Sequence, residues 1–489
     1  MNANDPSGTI EAHLRRWGWV AALVAIACLL LVTDRLPQLR GYRPWPPEWR
    51  WLHLAGSNLG ALVPMAIAGT IVAMCGWLAD AAATRGRRIA WVTVLTACAL
   101  AYQLFAVSAR GSDLGHFLGL RTTVDFLEDF FAAARGLDSA GESFTRYTTL
   151  AGSEWSHRVA THPPGLVWLY RCLIGMGAWI GDGALLDFSR RFFVGDRAAQ
   201  GFSTAEATGL LLATAMKLLA GVATLAGVGI AARALAPDNR IEGRAMALAA
   251  LVPAIAMFTV CIDSLAMAAS TVGVACLLMA SRSPKCIGWG AAAGAAFFLQ
   301  SMLVYQVLAS GFIAAVAVLL IARLGNEKSD WRRAGLGIAA CGAAILLLWL
   351  FVYTVSGFNY PAQAIEGLST HRRGAIHQFR SRWPWALWNL WDVFFFLGIA
   401  WIPQWTAAWK ARRGAASALL FAIMAFLALL AVADTVRGET ARILLFLFPL
   451  LAVGLSCAGS DGMRRTNFAW LSGLLVVQGI AFAAVLNLF

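Results

Sequence analysis

Stretches of apolar residues long enough to cross a lipid bilayer recur along the whole of this chain. A transmembrane helix needs about 20 such residues to span the hydrocarbon core. Runs of this kind cover approximately residues 17–33, 58–79, 89–108, 206–232, 245–262, 265–281, 286–302, 306–322, 336–355, 386–403, 415–433, 443–457 and 468–488. The pattern predicts an all-α integral membrane protein, a polytopic bundle of about thirteen transmembrane helices.

The composition argues against the other large classes of protein. Hydrophobic residues make up 59% of the 489 positions and charged residues 13%, which is more apolar surface than one soluble core can bury. A transmembrane β-barrel would show strands of alternating apolar and polar residues, and the sequence shows no such alternation. The net charge of +13 is spread over short clusters between apolar runs, so nucleic-acid binding is not expected. The nine cysteines form no CxxC spacing, and they give little indication of a metal or haem site.

The basic clusters predict how the chain is oriented. Arg15 and Arg16 precede the first run, and short loops rich in arginine face the cytoplasm, so the N-terminus is expected inside. A weaker apolar run lies at 163–180. If it does not cross the membrane, all the later basic loops fall on the cytoplasmic side. We therefore expect this run to be a re-entrant or interfacial helix. A missed span within 181–205 would give the same result. The chain therefore divides into N-terminal transmembrane helices (1–108), a large external segment (109–205) and a C-terminal transmembrane bundle (206–489).

The densest cluster of polar residues lies in the external segment, at His157-Arg158-Val159-Ala160-Thr161-His162-Pro163-Pro164-Gly165. Two prolines suit the first turn of a helix, which places His162 at a helix N-terminus. The unpaired amides of such a terminus favour an anion, and the nearby histidines and arginine add donors or positive charge. The pattern predicts a phosphate site. The alternative is that the prolines only start the helix and His162 caps it.

The element Thr161-His162-Pro163-Pro164-Gly165, after an external loop rich in acids, resembles the His-Pro-Pro signature of membrane glycosyltransferases of the GT-C superfamily, such as protein mannosyltransferases and lipid A aminoarabinose transferases. Further segments are similar to bacterial members of that group: 253–263, 356–359 with His371, 385–398, 438–443 and 446–449. The resemblance implies transfer of a sugar from a polyprenyl-phosphate donor to a glycan, lipid or protein acceptor outside a bacterial inner membrane. The first two spans have no counterpart in the minimal family pattern.

The resemblance also implies a catalytic base. In the family, an aspartate early in the first large external loop deprotonates the acceptor, and Asp113 has the expected position after the span that ends near residue 108. The usual Asp-Glu pair is absent, because Leu114 follows. Asp125, Glu128 and Asp129 are alternatives on an amphipathic segment, where acids commonly form a wet face.

Asp263 is a fourth alternative to Asp113. It interrupts an apolar stretch, and an acid at membrane depth is costly enough to suggest a function, although at the interface it could simply be a turn residue.

Cations that could hold the donor phosphate fall in three places: His162 with Arg158, His371 with Arg372, and Arg442. Arg442 could instead pair with Glu439, three residues earlier. No metal-ligand constellation is visible, although a carboxylate and the phosphate could share a divalent cation.

Two other functions fit the same features. A polysaccharide polymerase or ligase would share the external basic loops and the lipid-phosphate leaving group. A transporter or flippase of lipid-linked sugars would be expected to show inverted repeats, which the sequence does not reveal.

Overall fold

The chain folds as an all-α polytopic membrane protein. The computed structural model describes residues 6–43, 50–53, 58–109, 125–147, 157–180, 202–237, 239–258, 260–305, 307–325, 328–373, 380–411, 414–433, 436, 438, 440–458, 463 and 465–487. A two-residue antiparallel pair between β1 (Leu52–His53) and β2 (Leu486–Asn487) is the one β-structure within these ranges.

The helices of the first half fall into three groups. The described N-terminal helices are α1 (Pro6–Val32), α2 (Leu59–Ala81) and α3 (Arg85–Ser108). The segment up to residue 205 contains α4 (Asp125–Arg135), α5 (Glu142–Thr145), α6 (His157–Ala160) and α7 (Gly165–Ile180). The bundle then continues with α8 (Thr204–Leu235), α9 (Glu242–Ala250), α10 (Pro253–Phe258) and α11 (Asp263–Arg282).

The second half contains ten further helices. These are α12 (Cys286–Leu303), α13 (Val307–Gly325), α14 (Lys328–Ser356), α15 (Tyr360–Arg373), α16 (Arg382–Leu397), α17 (Ile402–Lys410), α18 (Ala415–Ala433), α19 (Thr440–Ile443), α20 (Leu447–Cys457) and α21 (Arg465–Val485).

Nine helices in the described part of the chain are long and apolar enough to cross a membrane, and a bent pair would make ten. The predicted count of about thirteen is therefore not confirmed. The difference lies in four predicted spans, which form shorter or broken helices: 245–262, 306–322, 386–403 and 443–457.

Two of these breaks have a clear local cause. The first precedes Pro253, which lacks a backbone N–H and cannot continue the hydrogen bonding of α9, so the chain restarts as α10. The second is at Gly398, whose φ of 117° is costly for any residue with a side chain. There the chain turns by 85° between α16 and the segment Ile399–Lys410.

One end of the bundle is held together by charged groups and is called the basic end here. The carboxylate of Asp80 on α2 accepts hydrogen bonds from the backbone N–H of Gly243 (2.7 Å) and from the side chain of Arg244 (2.8 Å) at the start of α9. Arg244 also donates to the carbonyl of Met463. Arg88 pairs with Glu242 at 2.5 Å. The loops before α3, α9 and α21 therefore share this end.

The first and last described helices, α1 and α21, run side by side in the same direction. At the basic end the indole of Trp17 donates to Asn467 Oδ1 (3.1 Å). At the opposite end Leu52 and Asn487 are partners in the β1–β2 pair. The opposite end also contains the contact between Asn58 N and Ala109 O (2.8 Å), so the chain between α1 and α2 lies beside the end of α3.

α7 lies along the first half of α8. A Cβ on Gly177 would come within 2.3 Å of Ala205 O, and one on Gly209 within 2.9 Å of Ile174 Cα, so the two helices are packed backbone to backbone and antiparallel. Further along α8, Gly227 has the same close relation to Thr271 of α11. Counting back from that contact, α8 extends roughly four turns beyond the first residue of α11. α7 therefore packs beside this extension of α8, beyond the N-terminal end of α11.

Candidate functional site

The structure gives side-chain positions for four of the residues predicted to form the site: Asp129, His162, Asp263 and Arg442. Asp113 and Glu439 lie outside the described residues. Five further candidates have a described backbone, but their side chains lie outside the described part: Asp125, Glu128, Arg158, His371 and Arg372.

The His-Pro-Pro element lies just before α7, which begins at Gly165, two residues later than predicted. Its first helical hydrogen bond runs from Trp168 N to Pro164 O (2.9 Å), so both prolines precede the helix and His162 lies outside it. Gly165 packs on the end of α12, where a Cβ would stand 2.2 Å from Met302 O. The final glycine of the element is therefore required by a backbone contact, which the sequence alone did not indicate.

A tyrosine hydroxyl braces this turn. Tyr147 Oη donates to the carbonyl of His162 (2.6 Å), with the carbonyl of Ala160 at 3.2 Å, and Tyr305 Oη lies 3.4 Å away. Burial raises the pKa of Tyr147 above its ordinary value of about 10. Burial, together with the neighbouring Tyr147, raises the pKa of Tyr305 still further. Both hydroxyls therefore stay protonated and keep the backbone before α7 in place.

The acidic helix α4 packs directly against the same element. The rings of Phe130 and His162 meet edge to face with centroids 5.2 Å apart. Asp129, one residue before Phe130, has its Oδ1 buried with no hydrogen-bond partner in the described part of the chain. A buried carboxylate oxygen without a donor is costly and is uncommon outside functional sites. Among the acids of α4, Asp129 is the one whose side chain lies in the described part, and one of its carboxylate oxygens is buried rather than solvated.

Asp263 and Arg442 form an ion pair at the opposite end of the bundle from Asp80. Arg442 Nε lies 3.7 Å from Asp263 Oδ2, and the two side chains are 15% and 16% exposed. Asp263 is the first residue of α11, where the helix dipole favours a negative charge. The expected pairing of Arg442 with Glu439 involves a residue outside the described part, and the pair that the structure does contain is the one with Asp263.

A buried polar network, which the sequence analysis did not identify, holds the helix that carries Arg442. Asp392, 3% exposed, accepts hydrogen bonds from Trp51 Nε1 (3.2 Å) and Ala441 N (3.3 Å). One turn earlier on α16, Asn389 accepts from Thr440 Oγ1 at 2.5 Å. The sequence did contain a signal for this network, because Asp392 is an acid within the apolar run 386–403. An acid at membrane depth is costly, and this argument applies to Asp392 as it does to Asp263.

The His-Pro-Pro element and the ion pair border one apolar cluster. Val159 and Leu166, on either side of the element, pack in the same buried cluster as Val260 and Ile262. Ile262 directly precedes Asp263 in the chain. Helix α4, through Phe130, and the His-Pro-Pro element therefore share one apolar cluster with the residue that precedes Asp263.

The described polar side chains around this cluster include the carboxylates of Asp129 and Asp263, the imidazole of His162 and the guanidinium of Arg442. Within the described ranges no three His, Cys, Asp or Glu side chains are grouped closely enough to hold a metal ion. Carboxylates at Asp129 and Asp263 could accept a proton, and the guanidinium of Arg442 could hold an anionic oxygen.

Comparisons with models of protein families, with curated proteins and with solved structures found no match for this chain.

Proposed function

We propose that this protein is a membrane glycosyltransferase of GT-C type that moves a sugar from a polyprenyl-phosphate donor to an acceptor at the cell envelope. The observation that carries the proposal is one apolar cluster shared by an acidic helix, a His-Pro-Pro turn and the residue before Asp263, whose carboxylate pairs with Arg442. Such a transfer needs a proton acceptor and a cation for the leaving phosphate at the membrane surface, where a lipid-linked donor presents its head group.

In the proposed reaction the acceptor hydroxyl loses its proton to a carboxylate as its oxygen attacks the anomeric carbon. The new bond joins that carbon to the acceptor oxygen, and the bond to the phosphate oxygen breaks with its electron pair. The polyprenyl phosphate leaves with this negative charge, and the sugar configuration inverts. Asp113 remains the base that the family resemblance implies. Asp129 is a second candidate, because one of its carboxylate oxygens is buried and has no hydrogen-bond partner among the described residues.

Arg442 is the described cation best placed for the leaving phosphate. Its backbone is fixed by the hydrogen bond from Ala441 N to Asp392, and its guanidinium is held within reach of Asp263. His162, Arg158, His371 and Arg372 are the further phosphate contacts of the proposal. A preorganised cation in a site with little water stabilises a developing phosphate charge far better than one in bulk solvent.

The proposal includes a bacterial inner membrane with the N-terminus in the cytoplasm and the site on the outer face. It is supported by the arrangement of charge, because the basic loops before α3, α9 and α21 share one end of the bundle while the proposed site is at the other.

Transfer of label from a panel of polyprenyl-phosphate sugars, measured with purified full-length protein, tests this function. We expect turnover by the wild type. We expect a loss of about 100-fold or more for the variant of the residue that acts as base, either Asp113→Asn or Asp129→Asn, with donor binding retained. Arg442→Gln should reduce turnover by a similar factor. Asp138→Asn is the matched control, since Asp138 is an exposed acid of the same segment and should change nothing.

Absence of both donor binding and turnover across the panel would refute the glycosyltransferase. Turnover that survives both Asp113→Asn and Asp129→Asn would move the base to Asp125, Glu128 or Asp263.

A further inference from the structure

An open groove of about 1040 Å³ lies at the basic end of the bundle, away from the candidate functional site. Four helices form it: the last turns of α13, the first turn of α14, the short helix α17 and the first turns of α18. Arg16, about three turns into α1, donates to Pro403 O of α17 (2.6 Å). The neighbouring Trp17 bonds to the first turn of α21, close to Met463, which places α17 at the basic end.

The groove exists because the chain bends at Gly398. The 85° turn directs α17 away from the axis of α16, so that Trp405 and Trp409 form one wall instead of extending a transmembrane helix. The other walls are apolar, with Leu320 and Leu324 from α13 and Phe421 from α18. This lining suits hydrocarbon chains.

Two polar features make the groove more than an apolar surface facing lipid. Arg323 contributes to its lining, and among the described residues no acidic side chain does. Trp405 also lines it, and its Nε1 is buried without a hydrogen-bond partner in the described part of the chain. A buried indole N–H normally finds an acceptor, and tryptophan at a membrane interface commonly donates to lipid oxygens. Lys410, exposed at the end of α17, adds positive charge near the groove.

We infer that this groove binds an anionic phospholipid, with the acyl chains along the leucine and phenylalanine walls and the phosphate near Arg323. Basic pockets between transmembrane helices are the usual sites for such head groups. The indole of Trp405, whose Nε1 is covered by neighbouring protein atoms, must turn toward the groove to donate to an ester or phosphate oxygen of the same lipid. This site does not depend on the proposed glycosyltransferase function, because it involves other residues at the other end of the bundle.

Photo-crosslinking tests the inference directly. The probe is phosphatidylglycerol with a diazirine on one acyl chain, added to purified full-length protein in detergent, and unlabelled phosphatidylglycerol or phosphatidylcholine is the competitor. We expect crosslinked peptides from residues 320–331 and 405–424, and competition by phosphatidylglycerol at concentrations about fivefold lower than by phosphatidylcholine. Raised ionic strength should reduce this preference.

Two conservative variants have matched controls. Arg323→Gln should weaken phosphatidylglycerol binding about fivefold, and Trp405→Phe about threefold, as measured by native mass spectrometry. Arg282→Gln and Trp19→Phe change an exposed arginine and an exposed tryptophan outside the groove, and both should bind as the wild type does.

The inference is overturned by crosslinks that show no enrichment in the two peptides. Equal competition by phosphatidylcholine, or an equal effect of Arg323→Gln and Arg282→Gln, would also overturn it.

Discussion

The close approach of α7 to α12 predicts that Gly165→Ala destabilises the protein. A methyl group at this position would stand 2.2 Å from Met302 O and 2.7 Å from Met302 Cβ. The carbonyl oxygen belongs to the backbone and cannot rotate away, so one of the two helices must shift. Overpacking of this kind costs about 1–3 kcal/mol.

The magnitude follows from two opposing effects. Replacing glycine by alanine in a helix gains about 0.5–1 kcal/mol, because the unfolded chain loses conformational freedom. Contact with a backbone atom places the overpacking cost at the upper end of its range, so the net loss should be about 2 kcal/mol. Gly175→Ala on the same helix is the matched control. Nothing lies within 4 Å of a Cβ at Gly175, and that variant should be equal to the wild type or more stable by up to about 1 kcal/mol.

Unfolding of the full-length protein in mixed micelles with increasing sodium dodecyl sulfate measures both variants. The two alanine variants should differ by about 2–3 kcal/mol in the free energy of unfolding. Equal stability of Gly165→Ala and Gly175→Ala would refute the reasoning, because it would mean that α7 does not rest on the backbone of α12.

Three further predictions concern other contacts. Asp80→Asn should cost roughly 3 kcal/mol, because it breaks a buried ion pair at the start of α9; Glu142→Gln, which removes a surface pair, should stay within about 0.5 kcal/mol of the wild type in the same unfolding assay. Trp51→Phe should cost about 1.5 kcal/mol more than Trp401→Phe, because only the first removes an indole donor to a buried carboxylate, and comparable losses would contradict this. Because burial raises the pKa of Tyr147, the unfolded chain releases a proton above about pH 10 that the folded chain keeps. The free energy of unfolding should therefore fall as the pH rises above about 10. Tyr147→Phe should make that fall shallower, as measured by unfolding midpoints across this pH range.

The fold class was predictable because long segments of apolar residues identify membrane helices. The number of transmembrane helices was not predictable, because an apolar segment has the same hydropathy whether its helix is straight or broken. Gly398 illustrates this: its positive φ turns one apolar run into two helices at 85°, yet the hydropathy of the run does not change. Pro253 gave a visible signal for the break before α10.

The candidate site was partly predictable. The proline pair predicted that a helix begins near residue 163, and α7 begins at Gly165. The acid Asp263 was identified as a candidate because it interrupts an apolar run. Its pairing with Arg442 could not be read from the sequence, because the two residues come from distant segments that only packing brings together. The environment of Asp129 was equally hidden, since burial of one carboxylate oxygen depends on the helices around α4.

The side-by-side packing of α1 and α21 has a consequence for biosynthesis. The partners of Trp17 and of β1 are made more than four hundred residues later, which corresponds to roughly 20–90 seconds of translation. During that time α1 must remain in the bilayer without its final neighbour, with the face that will later be covered open to lipid. Helix α1 is thus completely packed only after α21 has been made, and a chain that ended before α21 would leave this face of α1 open to lipid.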